Sequence, residues 1–386
     1  MRLYRMISLA AILLLMARSA IPAQEHDADL QLKIEVFISY LEFRDWDKMV
    51  DSLVAIGEPA VAPLIQVLGD REINRWIPEH AAYALGRIQT PEAVAALLTV
   101  LDDTTLYYRV RAGAADALGG VNTDEVIAAL SKTLRDKVHC NPWIRRHAAI
   151  ALERIGSESS VDALIEELND DSSNLYGAAV SALGTIGSPR AVGPLIRLLD
   201  DDRWRLWESA SKALESIGEP GIDSLMIAVQ NENSRTRRKA AWVLGRIRAT
   251  QAAGVLLNAL DDEDWMVRNE AAVALARIDS DKTLPLLLAA ISERPESISE
   301  EALWVTGEIG NDKVVAVLLE TVQQRKKLAW AAACALGRLR ATSAGSALAD
   351  MLGDDVRRNR EAAGWALKRI GNEPALEAVR KYRQKL

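Results

Sequence analysis

Arg268-Asn269-Glu270-Ala271-Ala272-Val273-Ala274-Leu275-Ala276-Arg277-Ile278 is the stretch that decides how this chain folds. Counted from Leu275, apolar residues fall at −8, −4, −1, 0 and +3, which is one stripe of a helix with a 3.6-residue period. Alanine at −4 and −1 lets a neighbouring helix come close. The same string returns in both directions, each copy ending on an apolar anchor: Ile56, Ile88, Val121, Ile155, Ile186, Ile217, Ile247, Ile278, Ile309, Leu339 and Ile370. Neighbouring anchors are 30 to 34 residues apart, so the chain reads as about eleven copies of one unit.

Each unit contains two helices. The one quoted above is helix B, and glycine often follows its anchor (Gly57, Gly156, Gly187, Gly218, Gly310, Gly371), where a left-handed residue closes a helix. The next helix, A, carries proline in its first turn at Pro59, Pro91, Pro189, Pro220 and Pro374, where a missing N–H costs nothing. Its apolar set reads like Val192, Leu195, Ile196, Leu198 and Leu199. It then breaks into an acidic turn, as at Asp102-Asp103, Asp170-Asp171, Asp200-Asp201-Asp202, Asp261-Asp262 and Asp354-Asp355. A second proline inside it (Pro63, Pro194, Pro285) predicts a kink. Runs of alternating β-branched residues are missing. The expected fold class is all-α, an α-solenoid of helix-turn-helix repeats over residues 45–371. An N-terminal extension and capping helix occupy 24–44, with Leu32, Val36, Phe37, Tyr40 and Leu41 on the apolar side. A final capping helix lies at 372–386, its outer side solvated by Arg380, Lys381, Arg383 and Lys385.

Residues 1–23 read differently. Arg2 and Arg5 precede an apolar run from Met6 to Ala17, and small residues follow up to Ala23. That order is a secretory signal peptide, cut after Ala23 or after Ala20, with an uncleaved anchor as the alternative. The run of roughly 12 residues is shorter than the ~20 a membrane-spanning helix needs. An exported protein, periplasmic or secreted, is expected. Losing Arg2, Arg5 and Arg18 takes the formal charge from −7 to −10. Such acidity disfavours nucleic acid and anionic lipid as partners. The two cysteines, Cys140 and Cys334, sit in the fourth and tenth repeats, too far apart to bridge.

The pattern resembles HEAT repeats, in the short variety named after phycobilin lyases. Val110-Arg111 with Ala114-Ala115-Asp116-Ala117-Leu118-Gly119, and Val267-Arg268 with Ala271-Ala272-Val273-Ala274-Leu275, are the copies that match best. The resemblance covers roughly residues 31–386. It implies a superhelix with A helices on the convex side and B helices lining the concave side. It also implies a hydrogen-bonded ladder between layers, made by the turn Asp and an Arg seven before the Leu. That column holds Arg111, Arg145, Arg237, Arg268 and Arg360, and departs to Trp46, Pro78, Tyr176, Trp207, Ser299 and Ala329. Arg111, Arg145, Arg268 and Arg360 follow turns with Asp and are the charge-assisted candidates.

Little in the chain points to catalysis. There are four histidines, and His139, Cys140 and His147 make only a loose cluster without a fourth zinc ligand. Deoxyhypusine hydroxylase, also built from HEAT repeats, holds di-iron on His-Glu pairs, and this sequence contains none. Nucleophile-elbow, phosphate-loop and dinucleotide fingerprints are lacking. No cofactor is expected and the chain does not read as an enzyme.

Ten tryptophans against two phenylalanines are the anomaly. Tyr83, Trp242, Trp304 and Trp365 lie two before the repeat Leu, Trp330 six before, and Trp76 and Trp143 nine before. On a helix these positions fall within about 60° of one another and nearly opposite the core stripe. By the HEAT resemblance, that side is the concave surface. Trp46, Trp204, Trp207 and Trp265, which start helix B or replace the Arg, read as packing residues. The expectation is an exported scaffold binding a protein partner on an aromatic-lined face. A carbohydrate- or tetrapyrrole-handling protein is the alternative.

Overall fold

The computed structural model describes residues 23–386 apart from 44, 71–72, 75, 169–174, 202–205, 279, 294–299, 310–311, 325–326 and 386. The signal-peptide expectation therefore lies outside the described residues, as do Trp204, Asp170, Asp171, Asp202, Ser299 and Gly310. Regular structure among the described residues is helical throughout. In chain order the helices are α1 (Ala23–Ser39), α2 (Trp46–Ile56), α3 (Val61–Leu68), α4 (Trp76–Ile88), α5 (Pro91–Asp102), α6 (Tyr108–Leu118), α7 (Asp124–Arg135) and α8 (Pro142–Ile155). They continue with α9 (Val161–Glu167), α10 (Tyr176–Ile186), α11 (Val192–Arg197), α12 (Leu206–Ile217), α13 (Ile222–Ala228), α14 (Ser234–Ile247), α15 (Ala253–Asn258) and α16 (Trp265–Arg277). The last are α17 (Ser280–Glu293), α18 (Glu300–Ile309), α19 (Asp312–Gln324), α20 (Ala329–Arg338), α21 (Gly345–Met351), α22 (Arg357–Ile370) and α23 (Glu373–Lys385). Even numbers from α2 to α22 are the eleven B helices and odd numbers are A helices, so the fold is an all-α solenoid. No single described helix is long and apolar enough to cross a membrane.

The chain divides into two compact units, Met1–Pro194 and Leu195–Leu386. In the first, Leu85, Leu118, Leu152 and Leu183 have no exposed surface, and the alanines one and four residues before each are buried beside them. In the second, Leu214, Leu244, Leu275, Leu336 and Leu367 hold the same place, with Thr306 standing in for leucine in α18. Thr306 is tolerated there because its hydroxyl donates to the Leu303 carbonyl at 2.8 Å. Burying a leucine side chain stabilises by about 1.5–3 kcal/mol, so one column carries much of the stacking energy.

The residue after that leucine decides how closely layers meet. A methyl group on Gly86 would stand 2.5 Å from Ala117, and one on Gly245 would stand 2.7 Å from Ala274. Gly307 against Ala335 and Gly337 against Ala366 repeat the arrangement. Where the column changes to glutamate, the joint turns polar. Glu153 accepts from Ser181 at 2.7 Å and Thr185 at 3.0 Å in the next layer, and Glu215 takes Arg246.

Two expectations about helix shape are corrected. The predicted kink at the second proline is absent at Pro63 and Pro194, because each is the third residue of a new helix, α3 or α11. The break comes earlier, where a 3-10 turn carrying the first proline (Glu58–Ala60, Pro189–Ala191) precedes the α-helix. A proline in a first turn displaces no helical hydrogen bond. Pro285 alone of the three lies inside its helix, α17. In α1, Leu32 faces solvent, and Ile34, with Val36, Phe37 and Ile38, makes the buried side, which Leu41 continues in the 3-10 turn that follows.

The arginine column is also corrected. A rung between layers is found at Arg237, while Arg268 and Arg360, expected to be charge-assisted by the Asp of their turns, bond the turn backbone. Arg268 donates to the Asp262 and Glu263 carbonyls, and Arg360 to those of Asp354 and Asp355. In both cases the backbone of the turn is the acceptor, which satisfies carbonyls freed at the end of the A segment. The forward rung is carried by Arg237, which has no Asp in its own turn. It grips Asp262 of the next layer at 2.7 and 2.8 Å while holding the Asn231 and Glu232 carbonyls. Buried Arg111 reaches Leu101 O, His139 O and the Cys140 sulfur, and Arg145 holds Leu134 O and ion-pairs with buried Glu167.

Candidate binding face of the B helices

In the first unit, Trp76 and Tyr83 project from α4, and both are half-buried. The buried His80 ring stacks on Trp46 with centroids 4.1 Å apart and lies 6.2 Å from that of Trp76. Nδ1 of His80 is 2.6 Å from the Leu41 carbonyl, which only accepts, so that nitrogen carries the proton. Burial keeps the imidazole pKa below its ordinary value despite this bond. The Arg109 guanidinium of the next layer covers Trp76, 5.0 Å from its centroid. The Tyr83 hydroxyl donates to Asp116 at 3.0 Å, and burial followed by the Asp116 charge pushes its pKa far up. Trp143, from α8, is 43% exposed, with Arg146 over its ring at 6.0 Å and His147 beside it at 5.1 Å. Asp116 Oδ2 lies 2.9 Å from His147 Nδ1 but out of line for a hydrogen bond.

The histidines and cysteine noted in the sequence do not converge. His139 faces Asp136 at 3.2 Å, Cys140 faces Arg111, and His147 faces Asp116. Burial pushes the Cys140 thiol pKa up, and both cysteines are free. Among the described residues no group of three His, Cys, Asp or Glu could hold a metal ion.

The second unit has the denser face. Trp304 of α18 has Arg338 of the next layer over it at 5.2 Å, and Trp330 of α20 has Arg358 over it at 3.3 Å. Arg358 in turn reaches Glu300 at 3.4 Å. Trp365 of α22, 43% exposed, lays its ring edge across Gly337. It also lines a cavity of about 470 Å³ with Tyr382, Arg357, Arg360, Lys368 and Arg383. Trp242 of α14 lies under Arg246 at 5.5 Å, and Arg246 pairs with Glu215 of the preceding layer at 2.9 Å.

Trp242 also shares a cleft of about 360 Å³ with Trp207 and Trp265, residues that read as packing in the sequence. Trp265 is instead 62% exposed. It is the first residue of α16, so its side chain stands beyond the layer it was expected to fill. Lys239 reaches into this cleft with Nζ 2.8 Å from the Trp207 ring centroid. Burial first, then Arg238, pulls its pKa down to about 8. Glu270 lines the same cleft, and burial raises its pKa. Arg238, on the rim, donates to the Met266 sulfur at 2.8 Å.

Four rings (Trp76, Trp207, Trp304, Trp330) are therefore covered by a cation from the next B helix, and two more (Trp143, Trp242) by one from their own. The sequence marks Lys239 as part of a basic spot at the start of a helix B, but the other five cations were missed. Their signal was available: Arg109 and Arg358 lie nine before the column leucine, and Arg246 and Arg338 two after it. Both positions point in nearly the same direction as the tryptophans, by the 100° count.

The model of HEAT repeats matches at residues 107–174, 161–234, 222–305 and 284–368, and that of the PBS lyase HEAT-like repeat at 78–103. These segments span well over half the sequence. The chain belongs to the HEAT-repeat family. Among solved structures, a chain from a study of Kap95p binding to RanGDP is 14% identical, with a TM-score of 0.52, covering 98% of this chain and 60% of that one. This HEAT protein thus spans about three fifths of that chain's length. An engineered protein matches at 20% identity and TM-score 0.33, covering 88% of this chain and 99% of that one. The complex of CpcE and CpcF of phycocyanin lyase from Nostoc sp. PCC7120 matches at 24% identity and TM-score 0.36, covering 65% and 93%. These likenesses concern the fold. No curated protein sequence matches the HEAT protein.

Proposed function

We propose that this HEAT protein is an exported, non-enzymatic scaffold that binds a partner protein along the exposed side of its B helices. The observation that carries the reading is the row of tryptophans covered by cations in the second unit. Tryptophan and arginine are the residues on which protein interfaces concentrate binding energy. A cation over an indole contributes about 0.5–2 kcal/mol and also holds the ring in place for a partner. The fold supports the reading too, since Kap95p, of similar fold, is described as binding RanGDP. Export rests on the order of charge, apolar run and small residues in 1–23.

The carbohydrate reading has one observation in its favour, the cleft in which Asn269 and Glu270 accompany three tryptophans. Against it stands the cover on the rings. A sugar stacks on an open indole face, and Trp207, Trp242, Trp304 and Trp330 each have a cation over one. The protein reading is the stronger.

The test is affinity capture from the extracytoplasmic fraction of the native cells, with the wild type beside a Trp242→Ala, Trp304→Ala, Trp365→Ala triple variant. The expected outcome is one partner retained by the wild type, lost by the variant, with helical circular dichroism unchanged. Equal retention by the variant rejects the face, and absence of the protein from that fraction rejects export.

A further inference from the structure

Lys239 has a half-buried ammonium with no carboxylate in ion-pair contact, and the Glu270 and Glu208 charges act on it from farther off. It forms no hydrogen bond or ion pair among the described residues, and its nearest group is the Trp207 ring, at 2.8 Å from the centroid. An ammonium taken partly out of water costs free energy unless something compensates for the lost hydration. The ring supplies part of that compensation. Arg238 raises the positive charge of the same cleft and spends one N–H on a sulfur, a weak acceptor. Glu270 is the single carboxylate in the lining, and it is itself desolvated enough that its proton is held more tightly. The lining thus carries one excess positive charge, Arg238 and Lys239 against Glu270, although the whole chain carries a formal charge of −7. Trp265 on one side is largely open to solvent, Trp242 and Trp207 form the other, and Met266 adds a deformable apolar edge.

We propose that the cleft of Trp207, Trp242 and Trp265 receives an acidic segment of a protein partner, in which a side-chain carboxylate meets Lys239 and Arg238 and a neighbouring apolar or aromatic residue meets the open Trp265 ring. The proposal rests on the protein-binding reading above and names the chemistry of the partner. A bound carboxylate supplies the close ion pair that Lys239 lacks, and the lysine pKa, lowered to about 8 by burial and Arg238, rises on binding. The aromatic contact decides where the segment lies, and the charge decides which segment is accepted. A basic segment would set like charges together in a desolvated site, which is the repulsive half of specificity.

A display library of random peptides of about a dozen residues, selected on the full chain, tests this. Selected peptides are then measured on three proteins: wild type, Lys239→Met, and the Trp207→Ala, Trp242→Ala, Trp265→Ala triple variant. Circular dichroism confirms that each folds. The expected result is enrichment of peptides combining Asp or Glu with an apolar residue. Their affinity falls about tenfold or more in Lys239→Met, weakens with added salt, and disappears in the triple variant. Tryptophan-dependent peptides with no acidic bias, or with equal affinity for Lys239→Met, overturn the proposal and leave the protein-binding reading standing. If no peptide depends on the tryptophans, both fall. A polygalacturonate oligosaccharide that quenches tryptophan fluorescence while no peptide does so likewise overturns both, in favour of a glycan.

Discussion

Gln89, Arg248 and Arg340 hold left-handed backbone, with φ of 58°, 59° and 49°, directly after the anchors Ile88, Ile247 and Leu339. In the other described repeats that close this way, the place belongs to glycine: Gly156, Gly187 and Gly371 are left-handed with φ of 70°, 75° and 72°, while Gly57 and Gly218 combine positive φ with an extended ψ. The conformation is therefore imposed by the turn and not by the residue. An L-side chain there costs about 1–2 kcal/mol in steric strain. Part of any gain from glycine is returned as unfolded-chain entropy. Arg248→Gly is expected to stabilise the protein by about 0.5–1 kcal/mol, read as a higher thermal midpoint at constant helical signal. A lower midpoint would mean that the Arg248 side chain makes a compensating contact.

Where two B helices meet, the column of Gly86, Gly245, Gly307 and Gly337 sets the separation. At Gly245 an added methyl would sit 2.7 Å from the Ala274 Cα, a backbone atom that cannot swing away. Gly245→Leu is expected to cost about 1–3 kcal/mol by overpacking and to force α14 and α16 apart. Gly254, with nothing within 4 Å of its added Cβ, accepts alanine without loss and serves as the control. Urea titration of both variants decides it: equal midpoints would mean that the joint yields more easily than its contacts imply. These contacts also show what a sequence makes visible. The core stripe, the prolines and the closing glycines were legible because each is a local rule about one helix. The ladder between layers was expected from the resemblance, but the arginine that carries it was not, because Arg237 has no Asp in its own turn and bonds forward to Asp262. Trp265 was misplaced for a related reason. Counting around a helix axis gives direction but says nothing of overhang beyond its first turn.

Within each unit, layers touch mainly their neighbours, so stability is distributed joint by joint and not through one core. Hydrogen–deuterium exchange should then be graded along the array. Strong protection is expected across α14 to α16 and α18 to α22, where Gly–Ala joints and covered tryptophans coincide. Weaker protection is expected across α8 to α10, where Glu153 bonds Ser181 and Thr185 near the surface. Uniform protection in both units would instead indicate all-or-none unfolding. Charge follows a comparable division in the second unit. Asp261, Asp262, Asp354 and Asp355 sit in the turns, while Arg238, Lys239, Arg338 and Arg358 stand among the tryptophans, giving an acidic chain a basic aromatic face. Net charge and composition, read for the chain as a whole, average that contrast away.

The Gly–Ala joints also bear on how such a gene changes with time. Gly307 meets Ala335 and Gly337 meets Ala366, so the faces on either side of α20 are interchangeable. An unequal recombination that removes one whole repeat there joins Gly307 to Ala366 and rebuilds the same contact, and one that duplicates the repeat adds one more such contact, Gly337 to the Ala335 of the second copy. The Glu153 joint offers less freedom, because among the other described layers only Ser216, in the column of Thr185, repeats either of its hydroxyl partners. Copy number is therefore freer to drift in one stretch of the array than in another.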